Sequence, residues 1–456
     1  MKKGFYVIGL AIFVLILTSA LQTPDKIAYV EGEVLVKFRP SASAQAVSSA
    51  ASSVEATDVS QILNTDFRKI KFAKTRQVES AVQTLQSLPE VEYAEPNYIY
   101  YALNTPNDPS FGELWGLENT GQSGGLAGAD ISAVQAWDVT TGSDQVVVGI
   151  VDTGIDYQHE DLAANIYKNP GEDAWANPND PTSGNGIDDD GNGKVDDWMG
   201  WNFIDETNIA KDDNMHGTHV AGTVGAVGSN GKGVVGINWK VKLVPLKFLD
   251  YEGSGTTEDA IEAIIYAADL GAKVLNNSWG GGAYSQALLD AIKYANEKGV
   301  LFVVAAGNDG TNNDVTPTYP ANYNVENVVS VAASDRADQR ALWGSGGDGG
   351  DDCGFNCSSA MAATPGSNYG PKTVHLAAPG KEIYSSVPGG YRTLSGTSMA
   401  TPHVVGAVAL LLARNPSLTA VQLKQVLMNS VDVLPAFEKT VISGGRLNVA
   451  AALASF

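Results

Sequence analysis

The sequence predicts an α/β fold, in which a mostly parallel sheet has helices on both faces, preceded by a small α+β unit. From residue 113 onward, short apolar runs alternate with longer segments of helical periodicity. The apolar runs are continuous, as expected for strands buried on both faces of a parallel sheet. Residues 28–101 follow a different pattern of short strand candidates around one helical segment. Two separate folding units are therefore expected.

Residues 1–20 have the features of a secretory signal peptide. Lys2 and Lys3 precede an apolar run from Phe5 to Leu17, and small residues follow at positions 18–20. The run is too short to cross a membrane comfortably. We therefore expect export and secretion; the alternative is an uncleaved anchor, in which case a membrane would also be a partner.

Residues 21–101 are predicted to form the small α+β unit. Val34 to Phe38 and Phe67 to Phe72 are strand candidates, Val78 to Leu88 has helical periodicity, and Val91 to Tyr98 is extended. Residues 102–112 contain two prolines and are expected to be a linker. The main domain is then predicted to occupy residues 113–456.

The main domain offers five buried strand candidates with helices between them. Glu258 to Leu270 and Ser285 to Glu297 are the clearest helices. Functional side chains of such folds gather at the carboxyl ends of the strands. The strand candidates are Val146 to Val151, Lys242 to Phe248, Lys273 to Asn276, Val300 to Ala305 and Val328 to Val331.

The charge distribution limits the partners. The net charge is −22, and residues 102–456 carry all of it. Such an acidic surface disfavours nucleic acid and anionic membranes as partners. It suits cations such as calcium, although a merely solvated acidic surface is equally consistent with it.

Four polar residues in small-residue motifs indicate nucleophilic catalysis. Asp152 ends the first strand, His216 opens a Gly/Ala-rich motif, Asn308 follows a later strand, and Ser398 precedes a buried apolar helix. A serine hydroxyl needs a base, a group that orients the base, and donors for the oxyanion. We assign these roles to His216, to Asp152, and to the Asn308 amide with the Ser398 N–H, respectively.

The acidic segment Asn185 to Asp197 predicts a structural calcium site. Asp188, Asp190 and Asn192 occupy alternate positions of an EF-type loop, and Lys194 would contribute its backbone carbonyl. Met199 stands where the bidentate glutamate should be, so we expect Asp196 or Asp197 to replace it. The alternative is an acidic loop that binds no ion.

Together these motifs resemble those of a subtilisin-like serine protease (a subtilase), over nearly the whole exported chain. The resemblance implies the triad order Asp152, His216, Ser398 with Asn308 as oxyanion donor, and an inhibitory propeptide at residues 21–101. It also implies that Asp161 is a ligand of another calcium site, although the loop from Gly228 to Gly233 differs in length from that of the family. The implied substrate-binding positions are Gly253-Ser254-Gly255, Ser278-Trp279-Gly280, the S1 wall Ala305-Ala306-Gly307, and Thr318, where the family often has glycine.

The expected function is a secreted serine endopeptidase, made as a zymogen, that acts on protein or peptide substrates and is inhibited by its own propeptide. One alternative is an inactive, calcium-stabilised binding protein. Another is an α/β-hydrolase esterase, but that class has the order Ser, acid, His and a second glycine where this chain has Ala400. Cys353 and Cys357 could form a disulfide or remain free thiols.

Overall fold

A computed structural model describes residues 29–99, 105–343 and 365–455. The predicted signal peptide and both cysteines lie outside these ranges. The chain divides into two compact units, one ending at Ala102 and one starting at Leu103. Among the described helices, none combines the length and apolar character that a membrane span requires.

The smaller unit is an antiparallel sheet with two helices. Its elements are β1 (Tyr29–Phe38), α1 (Ala44–Ser53), β2 (Asp58–Gln61), β3 (Phe67–Lys71), α2 (Val78–Gln86) and β4 (Val91–Tyr98). The strands have the spatial order β2-β3-β1-β4, and the buried side chains of α1 and α2 join those of the sheet in one apolar core. The α+β prediction is therefore correct for this unit.

The larger unit contains the helices and strands that alternate along the rest of the chain. Short 3₁₀ turns occur at Phe111–Glu113, Gln122–Gly124 and Pro181–Ser183. The other elements are α3 (Ala133–Trp137), β5 (Gly142–Asp152), β6 (Trp201–Asn202), α4 (His216–Gly225), β7 (Lys240–Lys247), α5 (Thr257–Leu270), β8 (Val274–Asn277), α6 (Gln286–Glu297), β9 (Leu301–Ala305), β10 (Val328–Ser334), β11 (Leu376–Pro379), β12 (Ile383–Val387), β13 (Gly390–Leu394), α7 (Thr397–Arg414), α8 (Ala420–Asn429), β14 (Asp432–Val433), β15 (Gly445–Arg446) and α9 (Val449–Leu453).

The main sheet is parallel except at one edge. Its strand order over the described residues is β14-β15-β11-β10-β9-β8-β5-β7-β6, and only the β14–β15 pair in it is antiparallel. Side chains of β9 alternate between two apolar cores, with Val303 in one and Phe302 and Val304 in the other. Helix α7 packs in the first core and helices α5 and α6 in the second. Both faces of the sheet are therefore covered, as predicted.

Helix α5 shows how local sequence sets an element next to the cleft. Thr256 accepts a hydrogen bond from the N–H of Asp259, whose side chain in turn bonds the Thr256 N–H, and Gly271 in the left-handed region ends the helix. Buried alanines and Ile264 form its inner face. Its start is thereby fixed immediately after Gly255.

The segment expected to be a linker already belongs to the larger unit where it is described. Asp108 is buried and accepts hydrogen bonds from the backbone N–H groups of Ser229 and Asn230. Ser110 donates its N–H to the carbonyl of Gly233. Proline-rich composition indicated a loop correctly, but these long-range contacts have no local sequence signature.

Candidate active site

Asp152 and His216 form a buried pair at the carboxyl end of β5. The Nδ1 atom of His216 lies 2.8 Å from Oδ1 of Asp152, and the carboxylate is fully buried. Because a carboxylate only accepts hydrogen bonds, Nδ1 carries the proton and Nε2 is left as the basic nitrogen. The N–H of Thr153 also donates to Oδ1 of Asp152 at 2.8 Å. This is the orientation that a catalytic base requires.

Burial alone would lower the pKa of His216. The neighbouring Asp152, through its charge and its hydrogen bond, and the charge of Asp212 together raise that pKa above the usual histidine value. A negative charge beside the ring therefore favours the imidazolium, which is the form that a general base reaches after taking a proton.

Ser398 lies in the first turn of α7, as the sequence predicted. Its hydroxyl donates to the carbonyl oxygen of Ser278 at 2.9 Å, and the Ser278 hydroxyl donates to the carbonyl oxygen of Ser398 at 2.8 Å. The Asn276 side chain donates to Ser278 Oγ at 2.9 Å. We expected Ser278 only to contact substrate; this reciprocal pair also anchors the serine-bearing turn, and nothing in the sequence indicated it.

Asn308 follows β9 and faces the same cleft. Its Oδ1 atom accepts hydrogen bonds from the N–H and the hydroxyl of Thr397, both at 2.9 Å. Thr397 therefore fixes the orientation of the amide and leaves the NH₂ group for a ligand. His216, Ser398 and Asn308 line one cleft.

Most of the expected substrate-binding residues line this cleft or the adjoining groove. The cleft brings Gly253, Ser278, Trp279, Gly280, Ala305, Gly307 and Thr318 together with the three catalytic candidates. Ser254 and Gly255 line the adjoining groove instead. Ala306 lines neither, because side chains alternate at the end of a strand. It is fully buried in a separate apolar cluster, which corrects its assignment to the S1 wall.

The acidic segment forms a compact group of carboxylates. Oxygen atoms of Asp188, Asp190 and Glu172 lie within 4.8 Å of one another. Glu172 accepts hydrogen bonds from the N–H groups of Asp189 and Asp190 through Oε1, whereas its buried Oε2 has no hydrogen-bond partner in the described structure. Burial raises the pKa of Glu172, against the lowering effect of these two N–H groups. An unpaired buried oxygen beside two carboxylates fits a hard cation.

The remaining loop positions serve other contacts. Asp196 accepts N–H groups of Asn185 and Gly186, and Asn192 donates from its amide to Asp190 and Asp197. Asp197 also accepts the hydroxyl of Tyr266 and the amide of Asn169, and the Lys194 amino group pairs with Glu206 and Glu262. The three carboxylates that lie close enough to share an ion are therefore those of Glu172, Asp188 and Asp190. Asp197 lies next to Asp190, with which it shares the amide donors of Asn169 and Asn192.

Asp161 is buried away from this group. Its carboxylate accepts hydrogen bonds from the Asn230 amide, the Val234 N–H and the Tyr391 hydroxyl. These donors reach both oxygens and hold the loop around residue 230, and the role of Asp161 as an ion ligand stays a prediction.

The chain is similar to known proteins over most of its length. The subtilase family matches residues 143–447, and the fervidolysin N-terminal prodomain matches residues 18–97. The chain is 35% identical to the thermophilic serine proteinase of Bacillus sp. (strain AK1) over 428 residues, 93% of this chain and 88% of that protein. It is 34% identical to thermitase of Thermoactinomyces vulgaris over 345 residues, 75% and 97% of the two chains.

A solved structure of a protease from Pseudoalteromonas arctica PAMC 21717 is similar in fold. It superposes with a TM-score of 0.55 at 33% identity, covering 77% of this chain and 99% of that one. Residues 143–447, which the subtilase family matches, include all four catalytic candidates. The chain therefore belongs to the subtilase family and is a serine endopeptidase with an N-terminal prodomain.

Proposed function

We propose that the chain is a secreted endopeptidase, made as a zymogen, that cleaves peptide bonds through an acyl-enzyme on Ser398. The observation that carries the proposal is the 2.8 Å hydrogen bond between buried Asp152 and His216, which lines the same cleft as Ser398 and Asn308. Hydrolysis needs a nucleophile, an oriented base and an oxyanion donor, and this cleft contains a candidate for each.

In the first step, the Ser398 hydroxyl turns from the Ser278 carbonyl toward His216, and His216 takes its proton. Ser398 Oγ attacks the scissile carbonyl, while Asp152 stabilises the resulting imidazolium. The oxyanion accepts hydrogen bonds from the Asn308 amide and the Ser398 N–H. The imidazolium then protonates the leaving amine, and a water molecule activated by His216 releases the acyl group.

Substrates bind as an extended strand. Gly253-Ser254-Gly255 and Ser278-Trp279-Gly280 flank the cleft and its groove, so both can offer backbone groups to a peptide. Hydrogen bonding to the main chain of the substrate tolerates many sequences. The S1 pocket, which Thr318 helps to line, would discriminate among P1 side chains by their size. Protein and peptide substrates follow from this arrangement.

The N-terminal unit acts as an inhibitory propeptide. The match to the fervidolysin prodomain over residues 18–97 supports this, and residues 29–99 of that unit have a core of their own. The basic and apolar pattern of residues 1–20 supports export.

Calcium has a structural role in this proposal. Glu172, Asp188 and Asp190 would hold the ion, with Asn192 and the Lys194 carbonyl from the same loop. A bound calcium ion would offset the mutual repulsion of these carboxylates. Its effect on the chemistry is indirect, since the loop only helps to hold the domain together.

A fluorophosphonate probe tests the proposal, because it modifies only an activated serine. We expect one modified peptide, carrying the adduct on Ser398, and loss of labelling in His216→Ala. Labelling of another serine, or equal labelling of His216→Ala, would contradict the assignment.

A further inference from the structure

Asp212 is a buried carboxylate that lies just before the catalytic histidine and lines no part of the cleft. Its Oδ1 atom accepts hydrogen bonds from the Thr153 hydroxyl at 2.9 Å and from the N–H groups of Asn214 at 2.9 Å and Met215 at 3.0 Å. Its Oδ2 atom accepts the N–H of Thr218 at 2.9 Å and the hydroxyl of Thr218 at 2.5 Å. One side chain thus links two separate stretches of the chain, one at residue 153 and one at residues 214–218.

The first of these stretches carries Asp152. Thr153 follows Asp152 directly and donates its N–H to the Asp152 carboxylate at 2.8 Å. The Thr153 hydroxyl, while donating to Asp212, also accepts the N–H of Gly217 at 2.9 Å. The end of β5 is therefore tied to the first turn of α4 through Thr153 and Asp212.

The second stretch is the start of α4, which begins at His216. Met215 precedes it with a φ of 127° and makes no side-chain capping bond. A non-glycine residue in that region is strained and persists only where surrounding contacts enforce it. Asp212 accepts the N–H groups of Met215 and Thr218, so it supplies the capping acceptor that Met215 lacks. Its charge also suits a helix N-terminus.

We propose that Asp212 is a positioning residue of the hydrolytic reaction: it holds the end of β5 and the start of α4 together, so that the Asp152–His216 hydrogen bond is formed before substrate binds. This inference rests on the proposed roles of Asp152 and His216. Loss of this contact would let the base move relative to Asp152 and Ser398, and a displacement of about 1 Å can lower turnover about 100-fold.

Asp212 also acts on His216 through its charge. The other groups near the ring are Asp152 from β5 and His219 one turn along α4, and burial lowers the pKa of His219 to about 3, so it stays neutral. His403 of α7 is also neutral, because burial lowers its pKa to about 4. Lys247 of β7 donates to the Thr153 carbonyl at 3.0 Å and pairs with Asp213, so Asp212 is not its ion-pair partner.

The sign of the charge effect follows from these contacts. Asp212 raises the pKa of His216, so removing its charge lowers that pKa. His216 must be neutral to act as a base, and the acidic limb of kcat/KM reports its pKa in the free enzyme. The limb therefore moves to lower pH in Asp212→Asn.

The experiment measures kcat and KM on a peptide anilide from pH 5 to pH 9. We expect Asp212→Asn to lose about 100-fold in kcat with little change in KM, and to shift the acidic limb to lower pH. Thr153→Val keeps the charge of Asp212 but removes the hydrogen bond between Asp212 and the end of β5. We therefore expect kcat to fall while the acidic limb of kcat/KM stays at the same pH. The matched control is Asp130→Asn, because buried Asp130 also accepts two backbone N–H groups, those of Asn119 and Ser132.

The inference would be overturned if Asp212→Asn had the kcat of the parent and an unshifted acidic limb of kcat/KM. An equal loss of kcat in Asp130→Asn would also overturn it. If Asp212→Asn fails to mature, Thr153→Val decides, and parent kcat in that variant overturns the proposal. Ser398→Ala separates the two levels. If it is inert while Asp212→Asn behaves like the parent, only the role of Asp212 fails; if it is fully active, the triad itself is wrong.

Discussion

Thr318 should narrow the S1 pocket and so set the preference for the P1 residue. It lines the cleft together with Gly280 and Gly307. A Cβ atom built on Gly307 would lie 3.4 Å from Thr318 Cγ2, and one built on Gly280 would lie 3.9 Å from it. The Thr318 hydroxyl accepts from the Asn368 amide and donates to Asn313. These bonds orient the side chain so that its methyl group, rather than its hydroxyl, stands near both glycines.

The size of the effect follows from the single methyl group. One methylene more or less in an apolar pocket changes specificity by about 1–3 kcal/mol, which is roughly 10- to 200-fold. We therefore expect the parent to cleave after Leu or Met better than after Phe or Tyr. Thr318→Ser removes only the methyl group and should lower the Leu/Phe ratio of kcat/KM by about 10-fold. Thr318→Gly should lower it further.

The assay compares kcat/KM for two peptides that differ only in Leu or Phe at P1. Thr318→Val is the matched control, because it keeps the shape of the side chain and loses the bonds to Asn368 and Asn313. Its Leu/Phe ratio should stay near that of the parent. If Thr318→Ser and Thr318→Gly both keep the parent ratio, Thr318 does not shape the pocket.

Three further outcomes are expected. Calcium at a hundredfold excess over Kd should stabilise the fold by about 2.7 kcal/mol. A chelator should therefore lower the Tm, and Glu172→Gln should lower the Tm even without chelator. A Glu172→Gln variant with the parent's Tm and the parent's response to chelator would show that the ion binds elsewhere. Separately made residues 28–101 should inhibit the matured enzyme, and absence of inhibition at about micromolar concentration, the range expected for a specific complex, would count against the propeptide role. Burial lowers the pKa values of His219 and His403 to about 3 and about 4. Below about pH 6.5 the unfolded chain protonates these histidines and the folded protein does not, so the free energy of unfolding falls with falling pH, by about 1.4 kcal/mol per pH unit for each. In urea unfolding of the inhibitor-blocked enzyme, we expect the free energy of unfolding of His403→Gln to depend less steeply on pH. An unchanged dependence would contradict this.

The architecture was predictable because burial on both faces leaves a direct trace in the sequence. Strands such as Leu301–Ala305 are apolar at every position, and helices between them carry one apolar face. Asp152 and Asn308 lie at the carboxyl ends of two of these strands, and therefore at the same edge of the sheet, as expected for parallel strands. The structure confirms the expected placement of Ser398 at a helix start, and it places His216 at the start of another helix.

What the sequence could not predict are contacts between residues far apart in the chain. Glu172 lies well before the acidic loop, and only the folded chain places its carboxylate beside Asp188. The hydrogen bond between Asp212 and Thr153, at the end of β5, joins residues far apart in the chain, and no local motif indicates it. Ala306 was misassigned for a simpler reason. Adjacent residues at a strand end face opposite sides, whereas we had assigned Ala305, Ala306 and Gly307 together to the wall of the S1 pocket.

The most direct test of the account is the turnover of Ser398→Ala on a peptide substrate. Removing the nucleophile lowers kcat on the order of a million-fold in subtilisin itself, and we predict a loss of that order here. Ser395→Ala is a suitable control, since Ser395 is buried three residues before Ser398 and its hydroxyl accepts the N–H of Glu382, outside the cleft. The account predicts near-parent turnover in Ser395→Ala and none above background in Ser398→Ala. Full peptidase activity in Ser398→Ala would contradict it.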